Sequence, residues 1–204
     1  MKQIKTSVWL VFIVMMMFPL SLAAQEKARQ APSIPAVPAL FGGTFSLIDH
    51  NGWAKTDQDF NGKLLLVSFG YINCPTICPT KLMAISTSLD MLGDLSDQVQ
   101  PVFITIDPDR DSPEKLRKYL NKIDPRVLGL SGSETEISRV AKAYRAYRLK
   151  VITDDRDPEN YLVNHTSITF LMDKVGKFQT LFTQTTKPDV MAQVLRRYLG
   201  NDFK

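Results

Sequence analysis

Cysteine and histidine are scarce in this chain of 204 residues, with two of each. Neither cysteine stands directly after the apolar run near the N-terminus, which excludes a lipid anchor through an N-terminal Cys. Charge of one sign is also in short supply. Setting aside Lys2 and Lys5 of the N-terminal segment leaves 23 basic residues against 21 acidic ones, a balance of +2. That surplus is too weak and too dispersed for nucleic acid binding. There is no internal repeat, and the only low-complexity stretch is a Pro-containing segment over 25–40.

What is present begins with an export signal. Lys2 and Lys5 precede an unbroken apolar stretch from Val8 to Leu20, followed by the small-residue exit Ser21-Leu22-Ala23-Ala24. Positive flank, apolar centre and cleavable end are the layout of a secretory signal. A membrane span needs about 20 apolar residues. Ser7 to Ala24 falls just short, so residues 1–24 are either a cleaved signal peptide or a single N-terminal membrane anchor. Both readings place the rest outside the cytoplasm, in the periplasm of a bacterium. Residues 25–40, with Pro32, Pro35 and Pro38, read as a semi-extended linker. Residues 41–204 fit one domain of ordinary size.

Within that domain the apolar pattern alternates between strand and helix. Phe45 to Ile48 and the segment after Asn51-Gly52 suggest a hairpin, and Asn61-Gly62 marks a second turn. Lys63 to Tyr71 reads as a central strand buried on both faces. Leu82, Ile85, Leu89 and Leu92 recur at helical spacing and predict a helix from about Pro79 to Leu92. Val102 to Ile106 is a second buried strand. Ser112 with Pro113 starts a helix, and Ser133 with Glu136 forms a capping box for the next. Residues 152–164, rich in Asp and Pro, read as a surface insertion. Ser167 to Met172 and Phe178 to Thr183 form a hairpin around Gly176, and a last helix carries Met191, Val194, Leu195 and Tyr198. The fold class is therefore α/β, a sandwich with a central mixed sheet flanked by helices, plus an N-terminal β-hairpin and a surface insertion.

Both cysteines lie in Cys74-Pro75-Thr76-Ile77-Cys78-Pro79, directly after the central strand. Ligands in open α/β sheets bind beyond the carboxyl ends of strands. Strand, loop, Cys-x-x-x-Cys and helix is similar to the surroundings of a thioredoxin active site, with one extra residue between the thiols. Positions i and i+4 of a helical turn share a face, so both sulfurs reach one ion or close a disulfide. Pro75 suits the first helical position, and a helix N-terminus lowers the pKa of a Cys placed there. A purely structural disulfide would close only a tiny loop and stabilise little.

His50, beside the Asn51-Gly52 turn, reads as a solvated loop residue without a role. His165 precedes a strand expected from Thr166 to Met172, in the loop that faces the cysteine loop in a thioredoxin-like sandwich. Thioredoxins place a cis-proline there, whereas Asn164-His165-Thr166 supplies an imidazole. Two thiolates and one imidazole lack the fourth ligand of a closed zinc site. Copper(I) accepts three coordinates and prefers thiolate, which makes copper the best fit. Asp107, Asp109, Arg110 and Asp111 end the neighbouring strand and serve either turn formation and helix capping or a partner surface near the metal. Asp154, Asp155 and Asp157 lack the Gly and Glu spacing of an EF-hand and read as a solvated loop. Met83, Met91 and Met191 read as core filler.

Gly70-Tyr71-Ile72-Asn73-Cys74-Pro75-Thr76-Ile77-Cys78-Pro79, Asp107-Pro108-Asp109-Arg110-Asp111-Ser112-Pro113 and His165-Thr166 together resemble the Sco/SenC family over roughly residues 40–200. The resemblance implies a thioredoxin-like fold, one copper ion held by Cys74, Cys78 and His165, and delivery of copper during cytochrome c oxidase assembly. It implies as partners an apo copper-site protein of a respiratory oxidase, a copper donor and a thiol reductant, the last because an oxidising compartment favours the disulfide. Typical members carry His before the first Cys and Asp after Cys-Pro, where this chain has Asn73 and Thr76. Asn164 stands where Asp is frequent. Two acidic side chains are thus missing near the metal, which bears on copper(II) affinity, redox potential or the client. The chain reads as a copper carrier and not an enzyme. The alternative is a thiol–disulfide oxidoreductase that keeps partner cysteines reduced, using Cys74 and Cys78 but not His165. A peroxiredoxin-like peroxidase would want Thr where Tyr71 stands.

Overall fold

A computed structural model describes residues 41–152, 157 and 160–200. The export segment and the linker expected over 1–40 lie outside the described residues, as do Asp154 and Asp155, while Asp157 is exposed. Among the described residues no helix is long and apolar enough to cross a membrane.

The N-terminal hairpin pairs β1 (Ser46–Asp49) with β2 (Ala54–Thr56). Its turn uses Gly52 at φ +91°, a left-handed conformation that costs glycine nothing. β3 (Leu64–Gly70) is buried along its whole length, as its continuous apolar sequence requires. It leads into α1 (Ile77–Leu92), and β4 (Val99–Thr105) returns parallel to β3. α2 (Pro113–Asn121) starts with the Ser112 side chain accepting the Lys115 N–H, and Pro113 fills the first turn. β5 (Leu128–Ser131) then adds parallel to β4. This strand was not foreseen, because four residues containing Gly129 carry little strand signal. α3 (Glu134–Ala143) opens on the expected capping box between Ser133 and Glu136. The described ends of the segment read as an insertion join a separate ribbon, β6 (Arg148–Ile152) against β7 (Tyr161–His165). β8 (Thr169–Met172) and β9 (Phe178–Phe182) form the last hairpin before α4 (Pro188–Gly200).

Seven strands make one mixed sheet in the order β2-β1-β5-β4-β3-β8-β9, and β6 and β7 pair only with each other. Alternation along β3 divides the core. Leu64 and Leu66 join Ile85, Leu89 and Leu92 of α1 and Met191 and Leu195 of α4. Leu65, Val67 and Phe69 belong to the larger cluster with Ile137, Val140 and Tyr144, and the Phe69 and Tyr144 rings meet edge to face at 5.4 Å. The α/β sandwich with a mixed sheet is thus as expected.

Three residue expectations need correction. His50 is not solvated: it is 8% exposed, and its Nδ1 accepts the Gly129 N–H at 3.2 Å. Its backbone N–H donates to the Gly129 carbonyl, so it extends the β1–β5 pairing. Met83 and Met91 are exposed on the outer side of α1, and only Met191 fills the core. The helix expected from Pro79 begins two residues earlier, with Pro75 outside it and Thr76 as its N-cap.

Candidate metal centre

The site begins where β3 ends. A Cβ at Gly70 would lie 2.7 Å from Cys78 Sγ and 2.6 Å from Phe103 Cε2, so only glycine lets the strand pass beneath the sulfur. The chain then turns, with Cys74 N–H donating to the Tyr71 carbonyl at 3.3 Å. Cys74 therefore precedes α1 rather than sharing its face with Cys78, which is the second residue of the helix. The sulfurs still converge, because the Cys78 backbone N–H donates to Cys74 Sγ at 3.4 Å. Thr76 makes no side-chain cap, so Cys74 supplies a sulfur acceptor to the first turn.

His165 arrives from the opposite side on β7. Its Nδ1 lies 3.0 Å from the Thr166 carbonyl, which can only accept. The neutral ring therefore carries its proton on Nδ1 and turns the Nε2 lone pair toward the sulfurs. Nε2 stands 3.5 Å from Cys78 Sγ, and the Tyr71 ring packs edge-on to the imidazole at 6.0 Å. The donor atoms of Cys74, Cys78 and His165 all lie within 4.8 Å of one another. Bonds of about 2.0–2.3 Å to one ion would set such atoms roughly 3.5–3.8 Å apart. Closing on a metal thus takes an adjustment of about 1 Å at most.

Charge is distributed unevenly over the pair. The bond from the Cys78 side chain pulls the Cys74 thiol well down against the opposing effect of burial, with further help from the N–H groups of Cys78 and Thr76. Cys78 is pushed up by the same bond and by burial. Cys74 is 9% exposed and Cys78 is sealed. The outer sulfur is thus the more acidic of the two and the inner one the less acidic. Cys74 and His165 open onto a cavity of about 340 Å³ whose walls include Ile77 and Leu162. Lys81, one helical turn past Cys78, is buried and donates to the Phe69 carbonyl at 3.0 Å. Burial lowers its pKa, opposed by Cys78 and Cys74.

The acidic run after β4 divides between the two expected roles. Ser112 caps α2. Asp111 instead accepts from the Ile72 N–H at 3.1 Å and the Thr105 hydroxyl at 2.7 Å, bracing the cysteine loop from behind. Burial raises it to about 6. Asp107 is buried, accepting from Arg110 Nε at 2.5 Å and Tyr161 Oη at 2.6 Å. Asp109 is exposed and pairs with Lys150 at 3.1 Å. Asn73, Thr76 and Asn164 are all exposed around the site. Gly70, Lys81 and Tyr161 were missed as site residues. Lys81 alone left a signal, a charge on the buried stripe of α1 between Cys78 and Ile85.

Two sulfurs and one nitrogen are a soft donor set with room for an incoming ligand. A family model described as SCO1/SenC matches residues 35–200. The protein sco1 of Schizosaccharomyces pombe is 40% identical over 158 residues, 77% of this chain and 60% of that protein. A SCO2-like protein of Rickettsia conorii is 39% identical over 76% of this chain and 75% of its own length. Among solved structures, Bradyrhizobium japonicum ScoI with copper bound superposes with a TM-score of 0.72 at 42% identity, covering 78% of this chain and 99% of that one. The thioredoxin-like sandwich, the paired cysteines facing one histidine and these similarities agree, and the chain belongs to the SCO1/SenC family.

Proposed function

We propose that this chain is a copper carrier for the assembly of a respiratory oxidase, binding one copper ion through Cys74, Cys78 and His165. The observation that carries the reading is the convergence of two sulfurs and one imidazole nitrogen within 4.8 Å. The copper-bound state of a relative 42% identical supports the choice of metal. The family resemblance supports cytochrome c oxidase as the client. The apolar N-terminal segment supports an extracytoplasmic location, tethered or released.

In an oxidising compartment the two thiols tend toward a disulfide. A reductant dithiol opens it: one thiolate attacks Cys74 Sγ, the bond to Cys78 breaks, and a proton goes to the Cys78 sulfur. The reductant's second thiol then displaces Cys74, and the reductant leaves as a disulfide. Copper(I) from a donor binds the freed thiols, which lose their protons, and His165 completes the set. Client ligands enter from the open side at Cys74 and remove the ion by stepwise exchange.

The unequal thiols favour a second reading, reduction of partner disulfides, because a more acidic thiol lining an open cavity beside a sealed, less acidic one is the arrangement of a dithiol reductant. Copper stoichiometry and affinity of the reduced chain, beside His165→Ala, separate the two. The carrier reading expects one tight copper per chain, sharply weakened by the substitution. Weak binding indifferent to His165, with the thiols still cycling, would favour the reductase.

A further inference from the structure

His165 sits on a ribbon that shares no strand pairing with the main sheet. Beyond the short link through 166–168 into β8, its distance from Cys74 and Cys78 is set by side-chain contacts. Strand β7 is gripped at two points before it reaches the histidine. The Tyr161 carbonyl accepts from Arg110 Nη1 at 3.1 Å while its hydroxyl donates to Asp107. Two residues on, the Val163 N–H donates to the Tyr71 hydroxyl at 3.2 Å. Arg110 stands at both points, with its guanidinium 3.5 Å from the centre of the Tyr161 ring and 5.9 Å from that of Tyr71. Asp107 fixes it in turn through Nε.

We propose that Arg110 is a positioning residue for the metal centre: it clamps the β7 strand to the β4–α2 loop and to Tyr71, and so holds His165 within bonding range of copper. This rests on the reading of Cys74, Cys78 and His165 as ligands. Tyr71 belongs to the turn that delivers Cys74, so the same guanidinium indexes the histidine strand against the cysteine loop. The planar fork bonds a carboxylate and a carbonyl while stacking on a ring, which a lysine ammonium does not reproduce. Strand β6 has its own anchors, Arg148 Nη1 to the Ile106 carbonyl at 2.8 Å and Lys150 to Asp109, so the ribbon stays attached when Arg110 is changed.

The test is a double-variant cycle on the full reduced chain, read as copper(I) affinity by competition with a chelator. Arg110→Lys is expected to weaken binding about 10–100-fold, the range for residues that orient a ligand. Arg110→Lys with His165→Ala is expected to bind no more weakly than His165→Ala alone. Tyr161→Phe keeps the ring and its stacking on Arg110 while losing the hydroxyl's bonds to Asp107 and Lys150, and should show the same dependence on His165 in milder form. It also carries the test if Arg110→Lys does not fold. Losses that simply add, or unchanged affinity in Arg110→Lys and Tyr161→Phe beside a weakened His165→Ala, would overturn the clamp alone. A His165→Ala variant with full affinity would overturn the ligand assignment, and the clamp with it.

Discussion

Gly70 has no side chain because the space above it is already taken by Cys78 Sγ and a Phe103 ring carbon. Gly70→Ala should cost about 1–3 kcal/mol by overpacking and should weaken copper binding, both checked in one urea melt and one competition titration. The two thiols differ in the same spirit. Cys74 lines the cavity and is the more acidic thiol, whereas Cys78 is sealed and pushed up by burial and by its bond to Cys74. Iodoacetamide should therefore modify Cys74 first near neutral pH, with Cys78 reacting only on unfolding, as peptide mapping would reveal. His50 yields a pH prediction. Burial, ahead of the opposing charge of Asp49, lowers its pKa below 6.5 in the folded state. Its contribution to stability is present above pH 6.5 and is lost as pH falls through that lowered value. Asp111, raised to about 6, acts in the opposite sense, favouring the fold as it gains a proton. The comparison is therefore with His50→Gln, which should lose less stability than the parent between neutral and mildly acidic urea melts.

Elements differ in how openly the sequence announces them. Ser133 and Glu136 predicted the start of α3 because a capping box is local chemistry, complete within four residues. Ser133→Ala should cost about 1 kcal/mol in a urea melt, by exposing the N–H groups it serves. α1 was placed two residues late because its first turn is closed by a sulfur, Cys74 accepting from Cys78, and no propensity encodes that. β7 was hidden for a similar reason. Tyr161 and Val163 are buried and Leu162 and Asn164 exposed, a clean alternation in a segment that Asp and Pro had marked as surface. What buries Tyr161 is a guanidinium and a carboxylate from the β4–α2 loop, contacts made at long range. The grouping of Cys74, Cys78 and His165 was legible, since with so few Cys and His the choice was narrow. The residues that support it were not, because Gly70, Lys81 and Arg110 act through approach, burial and stacking.

At the scale of the whole molecule, the site joins two bodies with different means of support. The cysteines come from β3 and α1, at the heart of a seven-stranded sheet. The histidine comes from a ribbon that shares no strand pairing with that sheet and is fastened by side-chain bonds beyond its chain link to β8. That division suits a carrier, since two sulfurs from one body and a nitrogen from the other leave an open side for a client's ligands. The central claim is that both bodies ligate one ion. X-ray absorption at the copper edge of the reduced full chain, loaded with one copper(I), tests it most directly. The account predicts two sulfur donors and one imidazole nitrogen per copper, with the nitrogen lost in His165→Ala. Copper bound by sulfur alone, or a nitrogen signal that survives that substitution, would contradict it.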